Sequence, residues 1–386
     1  MTTDSVTFAL TQEQELLRQE IRRFGEERIR PGTAERDAKR QFPADLVREL
    51  GEMGMLGSFI PERWSGAGFD MVSYAVAIEE LARVCPSVAV TISVSNSVCC
   101  WPILEYGSDS IKETALRELA SGKALGGFGL SEPGGGSDVA GMKTSARRDG
   151  EEWVLDGEKA WITNAGFARW YVVVAKTTPE GGSRGLSAFV VPADAPGFSV
   201  GSPEHKLGLR ASRTAPIHFT GCRIPAGNLL GVEGQGFKIA MATLDHSRVG
   251  IAAQSVGIHQ RALELAVGYA RDRRQFGKPI AEHQAIQMKV AQMATELEAG
   301  RVLTRAAAAL ADAGHNDSGR FASQAKLYAS EAANRACWES LQVHGGNGFS
   351  DEYEISRLYR DVRVTAIYEG TSEMQRLVIA RRLLRG

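Results

Sequence analysis

Cysteine is scarce and scattered in this sequence. The five cysteines, Cys85, Cys99, Cys100, Cys222 and Cys337, form no Cys-x-x-Cys pair, and adjacent Cys99 and Cys100 cannot readily bridge each other. An odd count at irregular spacing excludes a disulfide framework and suits reduced, mostly buried thiols. Histidine offers no metal site either: the seven histidines show neither His-Glu-x-x-His nor His-x3-His spacing, so zinc has no support and no metal is expected. Charge of one sign is missing as well. With 45 basic residues against 46 acidic and no basic run, neither nucleic acid nor an anionic membrane surface is indicated as a partner. No apolar run reaches the roughly 18 residues needed to span a bilayer. Residues Met1 to Leu10 lack both the basic-then-apolar order of a secretory signal and the Arg-rich character of a transit peptide. A soluble, cytoplasmic chain without a membrane span is the expectation.

What is present falls into three blocks. The first, residues 1–125, reads as helical: Thr11 and Gln14 make a capping box, and Leu16, Leu17, Ile21 and Phe24 recur at helical spacing until Pro31 and Gly32. Further helices are predicted over Ala44–Met53, Val72–Val84 and Ser87–Tyr106, with a Gly-rich loop over Pro61–Phe69. In the second block, residues 126–236, short β-prone runs replace that periodicity. Trp153–Leu155 and Lys159–Thr163 read as a hairpin around an Asp156-Gly157 turn, and Tyr171–Ala175, Leu186–Val191 and Ala215–Thr220 as further strands. Strands without intervening helices suggest an antiparallel barrel or sandwich. The third block, residues 237–386, returns to long helices over Ile239–Arg271, Glu282–Ala313 and Ser318–His344, with Gly314 at a C-cap and a last helix over Ser372–Leu384. Such lengths in antiparallel order predict a four-helix bundle. The fold class is therefore multi-domain α+β: an N-terminal helical domain, a central antiparallel β domain and a C-terminal bundle.

Several motifs carry chemistry, each with an ordinary reading beside it. Gly197-x-Ser199-x-Gly201 matches a hydrolase elbow, but Pro196 precedes it and its surroundings are all β, so chance is the better account. Asn316-Asp317-Ser318 matches a glycosylation sequon in what is simply a helix-linking turn. In Leu130-Ser131-Glu132-Pro133-Gly134-Gly135-Gly136-Ser137-Asp138, consecutive glycines let backbone N–H groups approach a ligand; a flexible inter-domain turn has the same composition. The run is not Gly-x-Gly-x-x-Gly, which argues against a nicotinamide site. Ile367-Tyr368-Glu369-Gly370-Thr371-Ser372-Glu373 puts a carboxylate on an exposed turn beside a helix N-terminus, where backbone N–H groups favour negative charge on a ligand; a solvated Glu before a plain N-cap is the alternative. Gln342-Val343-His344-Gly345-Gly346-Asn347-Gly348 has more glycine than a C-cap needs, which suggests a backbone pressed against a flat or phosphorylated ligand, with His344 itself a buried or capping histidine. Arg271–Ile280, with Arg273, Arg274 and Lys278, suits a pyrophosphate or plain solvent.

Together and in this order, the Leu130–Asp138 loop, Trp161-Ile162-Thr163-Asn164, Arg273-x-x-Phe276-Gly277, His344–Gly348 and Ile367–Glu373 resemble the acyl-CoA dehydrogenase family, short-chain (butyryl-CoA dehydrogenase-like) members in particular, over nearly the whole chain. The resemblance implies FAD-dependent α,β-dehydrogenation of an acyl-CoA thioester to the trans-2-enoyl-CoA, with electrons passed to an electron-transferring flavoprotein. An acyl-CoA oxidase using oxygen and a non-catalytic acyl-CoA-binding relative are the alternatives. Glu369 would be the base that takes the α proton, its pKa raised by burial, with its own backbone N–H helping to stabilise the enolate oxygen. One branch of the family carries its base at the position of Ser247, and serine cannot do that work. For FAD the resemblance implies Phe128, Leu130, Ser131, Gly136, Ser137, Trp161, Ile162 and Thr163 at the flavin. It implies Arg273, Phe276 and Gln284 reaching the FAD of a neighbouring subunit, Gln342, Val343, Gly345 and Gly346 at the adenine end, and Thr371, Ser372 and Glu373 completing the contacts. For substrate it implies Ser137, Asp245, His246, Ser247, Arg248 and Gly370, with Arg248 near the nucleotide part of CoA; an i,i+3 ion pair between Asp245 and Arg248 is compatible with that role. A homodimer is then the minimum unit and a homotetramer the usual one. Ser93–Pro102 resembles the pocket-lining helix of short-chain members, with Trp101 capping the tail of a short or short-branched acyl group.

Overall fold

The computed structural model describes residues 9–384. The order of elements is helical, β, helical. The capping box at Thr11 forms in both directions and starts the Gln12–Phe24 helix. Pro31 and Gly32 do not end it. The chain continues through a π turn (Gly25–Ile29) and a 3-10 turn (Arg30–Gly32) into Thr33–Lys39, and stops where Arg40 turns left-handed at φ 52°. A proline early in a tightened turn gives up an N–H that has no helical partner there, so the rod bends without breaking.

The Met71–Val84 helix, capped by Asp70, leads into a second, mostly interior helix over Pro86–Val94 that runs on through a π turn to Trp101–Tyr106. This stretch corrects the sequence reading of apolar runs. Pro86–Tyr106 is 21 residues long with a mean hydropathy of 1.5 over its most apolar window, long and apolar enough to cross a membrane. Interspersed Ser, Thr and Asn hide that character in the sequence, and 89% of the window is buried inside the protein as a core helix.

The central sheet has eight strands: β1 (Leu125–Gly129), β2 (Ser145–Asp149), β3 (Glu152–Thr163), β4 (Ala168–Lys176), β5 (Leu186–Pro192), β6 (Phe198–Val200), β7 (Thr214–Pro225) and β8 (Leu229–Leu230), in the order β6-β7-β3-β2-β4-β5-β8 with β1 beside β4. Most pairings are antiparallel as expected, but β1 runs parallel to β4 and β2 touches β4 in parallel at Ser145, so the sheet is mixed. Asp156-Gly157 is not a hairpin turn. It lies inside β3, where the register slips against β7 between Leu155 and Gly157. Gly157 sits at φ 137°, and a Cβ there would come within 2.7 Å of the Thr144 backbone, so the glycine serves a bulge. The hairpin turn stands one bend earlier, at Gly150, between β2 and β3. Ser199 lies in edge strand β6 with no helix after it, as the dismissal of a nucleophile elbow requires.

Four long helices follow. The first bundle helix is Gly236–Asp272, the second Gln284–Asp312, the third Ser318–His344 and the terminal one Ser372–Leu384, with a short Glu354–Val362 helix between the last two. The third helix packs against the first, the second and the terminal helix, and the first also packs on Met71–Val84. That last seam depends on Gly257, where a Cβ would lie 2.1 Å from the Glu79 carbonyl oxygen and 2.9 Å from Ala82 Cβ. Gly257→Val should therefore destabilise the protein by about 2 kcal/mol or more through overpacking, measured as a lowered urea midpoint; an unchanged midpoint would contradict this account of the seam.

Candidate active site

Glu369 sits in a turn between the Arg363–Ala366 3-10 turn and the terminal helix. It has a φ of 51° and Gly370 a φ of 93°. Left-handed backbone at a long side chain carries a cost, and it reverses the direction of the side chain. The turn is therefore not the exposed one expected. The residue is half-buried, and its Oε2 is enclosed with no hydrogen-bond partner among the described residues. Desolvation pushes the carboxyl pKa up; the Ser247 hydroxyl, Lys326 and Arg248, in that order, oppose the rise. Among the described residues no protein acceptor takes the backbone N–H of Glu369.

The first bundle helix forms one wall. Arg248 is 4% exposed, and its Nη1 donates to Asp245 Oδ1 and, at 3.0 Å, to Ser323 Oγ. Asp245 also accepts from Arg382, so the i,i+3 pair anticipated in sequence exists and is extended to the terminal helix. Enclosed, Arg248 lowers the carboxyl pKa of Glu369, so its guanidinium stands at the carboxylate end of the site. His246 stacks on Trp101 with centroids 4.7 Å apart and meets Phe59 edge-on, and Phe59 in turn meets Tyr74. Burial holds the His246 imidazole down to about 3, so it is neutral, and its Nδ1 has no partner among the described residues.

The β domain closes another side. Phe128, in β1, packs with Val94, Val98 and Leu209 and touches the same cluster as Tyr368. Beyond Leu130, the glycine loop is braced at its root: Glu132 and Gly135 bridge each other, Ala160 N–H donates to Ser131 O at 2.9 Å, and buried Lys159 donates to Glu132 at 2.8 Å and to Leu130 O at 3.2 Å. A Cβ at Gly134 would meet nothing within 4 Å, and Gly136 and Ser137 are exposed. The protein's own packing therefore does not require glycine at the loop tip. In β3, Trp161 takes φ 64° and leaves 60% of its surface exposed, Thr163 is half-buried, and the buried Ile162 side chain leaves only its backbone to offer.

Thr371 caps the terminal helix, its Oγ1 accepting from Met374 N–H at 3.3 Å. Ser372 is buried with its Oγ unpartnered among the described residues, and Glu373 is exposed. These three residues line a surface cavity of about 450 Å³ together with Arg335 and Arg363, so a helix N-terminus and two guanidinium groups border one hollow.

The remaining predicted residues lie elsewhere. Arg248 pairs with Ser323 and Tyr269 stacks on His344 at 4.3 Å, so the first and third bundle helices run parallel. At about 1.5 Å per residue, Arg273 stands roughly 37 Å along the helix from Arg248. Arg273, Phe276, Gln284, Gln342, Val343, Gly345 and Gly346 gather at that far end, with Phe276 93% exposed and nothing within 4 Å of a Cβ at Gly345 or Gly346. Gly348, by contrast, packs against Leu341 O. One chain therefore presents two separated groups.

Three family models match the chain: the acyl-CoA dehydrogenase N-terminal domain over residues 11–123, the middle domain over 127–222 and the C-terminal domain over 234–384. The chain belongs to the acyl-CoA dehydrogenase family. It is similar to the short-chain specific acyl-CoA dehydrogenase, mitochondrial, of Rattus norvegicus, 47% identical over 97% of this chain and 91% of that one. Among solved structures it resembles butyryl-CoA dehydrogenase from Megasphaera elsdenii (TM-score 0.96, 40% identity, 98% of this chain and 100% of the other). A chain from a structure of the electron transferring flavoprotein of Acidaminococcus fermentans is equally similar (TM-score 0.97, 40% identity, 99% and 100%). Membership of the acyl-CoA dehydrogenase family makes the protein an oxidoreductase acting on acyl-CoA.

The sequence reading missed Lys326, Gln375 and Tyr74. A signal for Lys326 was available: it is the one charge in a helical stripe that otherwise reads Ala322, Ala329, Ala333 and Ala336, all buried. The Lys159–Glu132 pair yields a test. Lys159→Met leaves Glu132 without its buried partner, which should cost about 3 kcal/mol and open residues 131–143 to proteolysis; unchanged cleavage there would show that the pair does not brace the loop.

Proposed function

We propose that this acyl-CoA dehydrogenase oxidises a short or short-branched acyl-CoA, with Glu369 as the base, FAD as the cofactor and an electron-transferring flavoprotein as the electron acceptor. The observation that carries the reading is the enclosed, unpartnered Oε2 of Glu369. The α proton of a thioester is a weak acid, and a carboxylate in water is a weak base for it. Removing water and hydrogen bonds from the carboxylate raises its affinity for that proton, and the raised pKa expresses this. The free N–H of Glu369 is a fixed donor for the oxygen that gains charge as the proton leaves.

The oxidation also needs a two-electron acceptor for the hydride leaving the β carbon, which is the chemistry FAD supplies when bound. The residues present fit that group. An exposed Trp161 and half-buried Phe128 offer flat apolar contact, the open glycines at 134 and 136 admit a close backbone approach, and Ser372 has a buried hydroxyl to give. Ser131, Gly136, Ser137, Ile162, Thr163, Thr371 and Glu373 complete this set. Arg273, Phe276, Gln284, Gln342, Val343, Gly345 and Gly346 are too far along the bundle to join it in one chain, so a second copy of the chain is taken to bring them to the adenine end. The exposed Phe276, Phe349 (89%), Met288 and Trp338 on the bundle suit burial against such a copy. The flavoprotein partner is inferred from the likeness to a chain from a structure described as that of an electron transferring flavoprotein. A cytoplasmic location belongs to the same reading.

On the substrate side, Ser247 and Arg248 act on the carboxylate, Asp245 pairs with Arg248 and Gly370 follows Glu369 in its turn; Ser137 of the glycine loop is taken to complete this set, and the Trp101–His246 stack to form the end wall for the acyl tail. A wall of stacked rings favours short chains.

Glu369→Gln should keep bound FAD and its yellow colour yet fail to bleach with any acyl-CoA; retained turnover rejects the base. Across C4 to C16 and branched CoA esters, bleaching should be fastest with C4 or short-branched substrates. Trp101→Gly should shift the C8-to-C4 ratio of kcat/KM upward on the order of tenfold, whereas an unchanged ratio removes Trp101 from the pocket.

A further inference from the structure

The left-handed turn at Glu369 and Gly370 is pinned from two sides. Lys326 Nζ, from the third bundle helix, donates to Gly370 O at 2.7 Å. Gln375 Nε2, from the terminal helix, donates to the same oxygen at 2.9 Å and to Glu369 O at 3.2 Å. Lys326 and Gln375 are both fully buried. A Cβ at Gly370 would lie 2.7 Å from Gln375 Nε2, so the clamp also explains the glycine.

Lys326 is an unusual donor to spend on a carbonyl. Among the described residues it forms no salt bridge, and a buried ammonium without a carboxylate in contact is costly. Burial pushes its pKa down to about 8, and the carboxylate that draws it back most is Glu369, ahead of Glu373 and Glu331. Glu369 is faced by Ser247 and Arg248 from the first bundle helix, by Lys326 from the third, by Tyr74 from the Met71–Val84 helix and by Tyr368 from its own segment. Burial pushes both phenols up, so they stay neutral. Arg248 shares its charge with Asp245. Lys326 is thus the cation near Glu369 whose charge is not taken up by a salt bridge among the described residues.

We propose that Lys326 is a positioning residue for Glu369: it fixes the Gly370 carbonyl, and with it the turn that aims the carboxylate inward, and its charge keeps that carboxylate ionised when water is excluded. Gln375 shares the first task and has no part in the second. The proposal rests on the reading of Glu369 as the base.

The test uses FAD-loaded enzyme and a C4 acyl-CoA. Lys326→Met should retain FAD, lose at least tenfold in kcat, and move the acid limb of kcat/KM upward by about one pH unit, because loss of the cation raises the carboxyl pKa further. Lys326→Arg should return the limb towards wild type, and Gln375→Met should lower kcat without moving it. A purely structural role predicts lower rates with an unmoved limb in every variant. Infrared titration of the Glu369 carboxyl, assigned by Glu369→Gln, gives the same shift without turnover, and Lys326→Gln replaces Lys326→Met where the latter does not fold. An unmoved carboxyl titration in the neutral variants overturns the proposal. Retained turnover in Glu369→Gln overturns the base reading instead, so the two failures are distinct.

Discussion

Excluding water from one carboxylate is the constraint on which this structure turns. Enclosure favours the protonated form of Glu369, and its surroundings offset this with positive charge while making no hydrogen bond to Oε2 among the described residues. The arrangement separates the two. Lys326 and Arg248 act on the carboxylate through the field, while Lys326 Nζ donates to Gly370 O and Arg248 Nη1 to Asp245 and Ser323; Arg248 Nε is buried without a partner among the described residues. Oε2 is left bare.

That separation needs three layers of the fold at once. The first and third bundle helices deliver the two cations, the terminal helix and its N-cap hold the turn, and the N-terminal helices with β1 close the remaining side through Tyr74, Phe59 and Phe128. No single layer encloses the carboxylate, so the Gly257 seam between Met71–Val84 and the first bundle helix holds two of its walls together.

Long periodic helices and β-branched runs were legible in the sequence, and so was the order helical, β, helical, because those patterns are local. The Asp156-Gly157 bulge was read as a turn because a left-handed glycine serves either purpose, and only the approach of Thr144, just before β2, decides between them. The parallel partnership of β1 and β4 had no local signal at all. Within the site, the Ile367–Glu373 heptapeptide stood out by composition, but the inward direction of Glu369 depends on a backbone angle and on donors 43 and 6 residues away, at Lys326 and Gln375. The split of the ligand-type residues into two ends of the bundle is likewise a property of helix length and direction, invisible in a list of motifs.

The Pro86–Tyr106 helix has a consequence for how the chain is made. Part of its cover comes from the preceding Met71–Val84 helix and from β1, and part from the first bundle helix, which begins at Gly236. Synthesis proceeds from the N-terminus, so a ribosome that has released Tyr106 has exposed a segment of membrane-spanning length and apolarity while the bundle helix that covers one side of it, well over a hundred residues downstream, is still untranslated. Until that helix emerges, one apolar side of the segment stays uncovered, and a product truncated before Gly236 never covers it.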